Sequence, residues 1–241
     1  MRRNSDTGTV NRPHMTVLYI DIEHDRVLAH PESGPAHRVK REATRARLAA
    51  VAGGPCLSLR FPEVSPAQVE RVGPAALVIS GSTTDWAEYD FSSLNGLLAT
   101  IRAASVPILG ICAGHQLIGF AHGAPWGPLG PLHAGEVDPD PRFAPGRRKE
   151  RGFLPIDVDP RCPLFQGLNQ TAAFFQSHYW QLEGVPQGFA ARAHSPWSPV
   201  QAIERLDRPV FGVQFHPERY GAAQPDGATV LRNFFALARD P

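Results

Sequence analysis

Two short runs of the chain hold side chains suited to chemistry. The first is Gly110-Ile111-Cys112-Ala113-Gly114-His115-Gln116. A nucleophile at a tight strand-to-helix turn needs small neighbours on both sides, because a Cβ there would collide with adjacent backbone. Gly110 and Gly114 satisfy that need around Cys112. Such a turn pushes the thiol out at the carboxyl end of a sheet, where open α/β folds place ligands. The helix N-terminus behind it favours thiolate over thiol. The N–H of Ala113 would point towards an oxyanion formed on an attacked carbonyl. A buried structural cysteine in a Gly-containing turn is the bland alternative.

A thiol nucleophile needs a base, and the base an orienting partner. The second run, Val210-Phe211-Gly212-Val213-Gln214-Phe215-His216-Pro217-Glu218, offers both. An apolar strand ends in His216, and residues two apart in extended chain project to one side. Glu218 can therefore hydrogen-bond one imidazole nitrogen and fix the tautomer. Pro217 stiffens the segment and ends strand pairing. Alone, this run also reads as a surface turn; beside the cysteine run, it reads as a base and its orienter.

The elements that must position these residues follow from periodicity. Apolar runs predict strands over 16–21, 56–61, 75–80 and 107–112, and helices over 36–52, 66–71, 90–104 and 115–122. Strand alternating with helix means βαβ units and a mostly parallel sheet covered on both faces. Beyond it, residues 123–150 are rich in Gly, Pro and charge. They predict a long excursion with a strand around 134–137 and an exposed, solvated stretch over 147–151. Strands are expected over 153–158, 171–176, 190–193, 200–204 and 210–215, and a helix over 228–238. Residues 1–14 read as a disordered leader and 15–241 as one domain.

Composition narrows the function classes. The 241 residues carry 24 Lys and Arg against 23 Asp and Glu, a balance that argues against a nucleic-acid partner. Three cysteines, Cys56, Cys112 and Cys162, are too few for a disulfide framework and suit a reducing compartment, the cytoplasm. The N-terminus lacks the apolar core of a secretory signal, and no apolar run is long enough to span a membrane. Ten histidines invite a metal reading, but those around 23–37 lack ligand spacing. Cys-x-x-Cys, Gly-x-Ser-x-Gly and nucleotide-binding glycine motifs are absent, so no metal and no cofactor is expected.

Taken together, the two runs resemble those of the class I glutamine amidotransferases, a family with a Cys-His-Glu triad on a flavodoxin-like α/β domain. The similarity covers most of the chain from Thr16 onward. Val78-Ile79-Ser80-Gly81-Ser82 falls where the family has its oxyanion strand, and Ser177-His178 where many members have a Ser-His pair. Among subfamilies, the run ending in His216-Pro217-Glu218 is nearest to the amidotransferase domain of GMP synthetase. The resemblance implies that Cys112 attacks the side-chain amide of glutamine, that His216 moves protons, and that Glu218 orients His216. Gly81 or Ser82, with Ala113, would supply oxyanion donors; Gln116, Ser177 and His178 would lie at the substrate. It implies a glutaminase subunit feeding ammonia to a separate synthetase. A stand-alone hydrolase of γ-glutamyl amides or peptides, or a non-catalytic regulatory module, is the alternative. The chain departs from the family at Ser82, where a glycine is usual, and at Tyr179-Trp180, where an acidic residue usually follows the Ser-His pair. Residues 21–37 match nothing in the family pattern.

Overall fold

The computed structural model describes residues 15–239; the expected leader lies outside them. A nine-stranded sheet forms the centre. Its first half is β1 (Val17–Asp21), β2 (Cys56–Arg60), β3 (Ala76–Ile79) and β4 (Ile108–Ile111), with β11 (Val210–Val213) beside β4; all four pairings are parallel. Apart from the edge strand β2, these strands read as unbroken apolar runs because both faces are covered. Alternation inside β1 shows it: Val17 and Tyr19 join one core, Leu18 and Ile20 the other.

On the first face lie α2 (Ser33–Ala52) and α6 (Asp226–Leu237), contributing Leu48, Val230, Leu231, Phe234 and Phe235. The second face carries α3 (Pro66–Val72), α4 (Asn95–Ala103) and α5 (Ala113–Ala121), through residues such as Val69, Leu97, Ile101 and Leu117. A one-turn helix, α1 (Asp25–Ala29), precedes α2, which begins three residues before the expected start. Helix α2 ends at Gly53, whose φ of 68° closes the last turn. Among the described residues, no helix is long and apolar enough to cross a membrane.

The sheet continues from β11 as an antiparallel half: β10 (Ala202–Arg205), β9 (Phe189–His194), β6 (Glu150–Val158) and β7 (Thr171–His178). A separate two-stranded ribbon pairs β5 (Trp126–Pro128) with β8 (Trp180–Leu182). It was not foreseen, because a Gly-Pro pair inside three residues leaves no periodicity to read.

Two expectations are corrected. The strand around 134–137 does not form: Ala134 and Gly135 make a turn, and Val137 beyond it is 83% exposed and in no strand. Nor is the 147–151 stretch a solvated loop. Lys149 and Glu150 are buried, and β6 begins at Glu150. The Lys149 ammonium donates to the carbonyls of Asp140, Phe143 and Ala144 and pairs with Asp138 at 2.8 Å. Backbone oxygens and one carboxylate replace the water a lysine head group normally keeps.

Candidate active site

Cys112 sits between β4 and α5 at φ 52°, ψ −106°, a region uncommon for residues with a Cβ. Its amide donates to Val213 O at 2.8 Å, which locks the elbow to β11. Packing explains both flanking glycines. A Cβ on Gly110 would come within 2.5 Å of Gly114 O, and one on Gly114 within 2.6 Å of Ile79 O.

His216 follows β11. Its amide donates to Phe175 O at 2.8 Å, and the preceding Phe215 stacks on Phe174 with ring centroids 3.9 Å apart. The ring's Nδ1 lies 2.8 Å from Glu218 Oε1. Arg47 of α2 donates to both Glu218 O and Tyr220 O at 2.7 Å, fixing the turn that carries the carboxylate. Burial would lower the His216 pKa, but the charges of Glu218 and Cys112, with a hydrogen bond to each, raise it to about 10. An imidazolium facing the sulfur is the state this geometry favours.

The loop after β3 closes the third side. A Cβ on Gly81 would stand 3.0 Å from His216 Cε1 and 3.4 Å from Cys112 Cβ. Ser82 keeps a negative φ, so no glycine-only conformation is lost there. Among the described residues, the amides of Gly81, Ser82 and Ala113 donate to no protein acceptor, leaving them free for a developing oxyanion. The loop is fastened by Glu23, a buried carboxylate two residues past β1. It accepts from Ser82 Oγ, Thr83 N, Thr83 Oγ1 and Thr84 Oγ1 at 2.8–3.0 Å.

Over the thiol lies an open cleft. Ser82, Thr83, Cys112, Ser177 and His178 line it, and Phe143, Tyr179 and Trp180 narrow it. His178 is buried, with Nδ1 2.8 Å from Trp180 O and Nε2 2.8 Å from Glu150 Oε2. Burial would raise the Glu150 carboxyl, but His178, Ser195 and Gln201 hold it below the usual range. Ser177 Oγ accepts from Arg151, and Ser177 O lies 3.9 Å from Cys112 Sγ. Gln116, expected at the glutamine head group, has both ends of its amide engaged within the protein. Its Oε1 accepts from Trp86 Nε1 at 2.7 Å, and its Nε2 donates to Trp180 O and Gln214 Oε1 at 2.9 Å.

The structure thus brings Cys112, His216, Glu218, Gly81, Ser82, Ala113, Gln116, Ser177 and His178 to one cleft. Sequence reasoning gave no role to Glu23, Trp86, Glu150 or Gln214. An acid just past a buried parallel strand was the available signal for Glu23. For Gln214, it was its place two residues before the candidate base, on the same side of extended chain.

Comparison with known proteins agrees with this geometry. The glutamine amidotransferase class-I model matches residues 56–238. The glutamine-hydrolysing GMP synthase subunit of Pyrococcus furiosus is 30% identical over 175 residues, 72% of this chain and 81% of that protein. A Thermoplasma acidophilum protein assigned as a GMP synthase subunit superposes with a TM-score of 0.69 at 22% identity, covering 95% of this chain and 96% of its own. A glutamine amidotransferase from Methylobacillus flagellatus gives 0.60 at 22% identity, covering 85% of this chain and 71% of that one. These two likenesses carry the flavodoxin-like fold, while the model match and the Pyrococcus relative carry the family: the chain belongs to the class-I glutamine amidotransferases.

Proposed function

We propose that the chain is a glutamine-hydrolysing subunit that delivers ammonia to a separate synthetase, as the names of its GMP synthase relatives suggest. The observation that carries the chemistry is the convergence of the Cys112 sulfur, the His216–Glu218 pair and three unengaged amides at the mouth of one cleft.

In this reading the Cys112 thiolate adds to the side-chain amide carbon of glutamine. The oxygen takes up negative charge facing the amides of Ala113 and of Gly81 or Ser82. His216, protonated beforehand, gives its proton to the leaving nitrogen, and the C–N bond breaks to release ammonia. A glutamyl thioester remains on Cys112. Water, giving a proton to His216, attacks that thioester; glutamate leaves and the thiolate returns. Glu218 holds the imidazole in register throughout. Ser177 and His178 shape the cleft wall. Ammonia protonates readily in water and is then a poor nucleophile, which favours consumption by a docked synthetase. Three free cysteines, all buried, support a cytoplasmic setting.

The test is ammonia release from glutamine by the purified chain, on its own and with an ammonia-dependent GMP-forming synthetase. Turnover abolished in Cys112→Ala is the expected result. Release unaffected by that substitution, or cleavage of γ-glutamyl peptides with no turnover of glutamine, would reject the proposal.

A further inference from the structure

One chain of buried amides leads to the reacting sulfur. The indole N–H of Trp86 donates to Gln116 Oε1 at 2.7 Å; Gln116 Nε2 donates to Gln214 Oε1 at 2.9 Å; Gln214 Nε2 lies 3.6 Å from Cys112 Sγ, hydrogen-bonding range for the larger sulfur atom. Trp86, Gln116 and Gln214 are 4%, 2% and 0% exposed.

The direction of these bonds is fixed by chemistry. A glutamine side chain can be turned over without changing its shape, so oxygen and nitrogen must be assigned from their partners. An indole can only donate. Trp86 therefore forces the oxygen of Gln116 towards itself and the NH₂ towards Gln214. The bond from Gln116 to Trp180 O requires the same orientation. Gln214 must then turn its oxygen to Gln116 and its NH₂ to the sulfur.

We propose that Gln214 is a catalytic residue that donates a hydrogen bond to the Cys112 sulfur and stabilises its thiolate, in an orientation set by Trp86 through Gln116. The inference rests on the reading of Cys112 as nucleophile. A donor at the sulfur acts in both halves of the reaction. Before attack it raises the fraction of thiolate. When water attacks the thioester, the C–S bond breaks and the electron pair returns to sulfur, where the same N–H awaits it. A thioester sulfur accepts weakly, so the bond is strongest in the charged states and weakest in the intermediate between them. The bond therefore accelerates the second half, where charge develops on sulfur, and serves the first by keeping the sulfur ionised. Gln116 and Trp86 are positioning residues, acting through Gln214.

The experiment measures iodoacetamide alkylation of each cysteine by mass spectrometry from pH 5 to 10. Cys56 and Cys162 are internal references, since burial pushes their thiols up to about 11 and about 12. Gln214→Met removes the donor at similar volume. The alkylation midpoint of Cys112 should rise by about one pH unit, a tenfold loss of thiolate at neutral pH, as expected for a hydrogen bond to a charged group. Trp86→Phe removes one of the two partners that orient Gln116, leaving Trp180 O, and should move the midpoint the same way by less. A folded Gln214→Met protein with an unchanged midpoint overturns the proposal. If that variant does not fold, an unchanged midpoint in Gln214→Asn, which draws the NH₂ back from the sulfur, overturns it. Cys112 reacting no faster than Cys56 and Cys162 in the unsubstituted protein would instead reject the nucleophile itself.

Discussion

His216 carries two consequences at the scale of single residues, one kinetic and one thermodynamic. Its Nδ1 is committed to Glu218, so proton traffic is left to the nitrogen facing Cys112. Groups that act as a unit are non-additive. His216→Ala should therefore cut glutamine turnover about as far as Cys112→Ala, and the double variant should lose little more. Glu218→Gln, which keeps a hydrogen bond, should lose less. Near-normal turnover in His216→Ala would exclude the pair as base and orienter. The thermodynamic consequence follows from linkage. The folded protein binds the His216 proton up to about pH 10, whereas an unfolded chain releases it near 6.5. The resulting stabilisation is complete below about pH 6.5 and is lost as pH rises through 10. Melting temperature should fall over that interval more steeply in the unsubstituted protein than in His216→Ala. Equal slopes would mean that the imidazolium is not held.

At the scale of elements, the excursion between β5 and β6 matters most. Residues 138–147 close on themselves around the Lys149 ammonium and carry Phe143 over the cleft. Lys149→Met would leave three inward carbonyls and the Asp138 carboxylate without their cation. Carbonyls buried without a donor are destabilising, and the loss should fall first on this segment. Early proteolytic cleavage within 138–147 and a raised KM for glutamine, with kcat less affected, are expected. Protection and KM equal to those of the parent would show that the rim stands without its lysine. The same segment marks how far the sequence can be read. The βαβ half was legible because its strands are buried on both faces and its helices have apolar stripes; Gly110, Cys112 and Gly114 even specify the elbow. Lys149 and Glu150 were not legible, because a charge run reads as solvated unless its partners are known, and those partners arise from chain reversal and from β7. The order β11-β10-β9-β6-β7 likewise depends on which edges meet. Ser82 misled in another way: its type signals a lost glycine, whereas its backbone shows that none was needed.

At the scale of the whole molecule, the site opens at the carboxyl ends of the parallel strands, where a second protein can cover it. The isolated chain is expected to release ammonia slowly, and a docked synthetase with its substrates bound to raise the rate by about 10²-fold, the effect of shifting a group by an ångström. Steady-state ammonia release with and without that synthetase checks this; full speed without it would exclude gating. The loop that such a partner would meet is anchored through the Glu23 carboxylate. Four donors tie it to residues 82–84, while Arg60 of the edge strand β2 grips the carbonyls of Asp21 and Glu23 and the Asp25 carboxylate. The outer edge of the sheet and the loop beside the thiol thus meet in one residue: Arg60 holds the carbonyl of Glu23, and residues 82–84 hold its carboxylate.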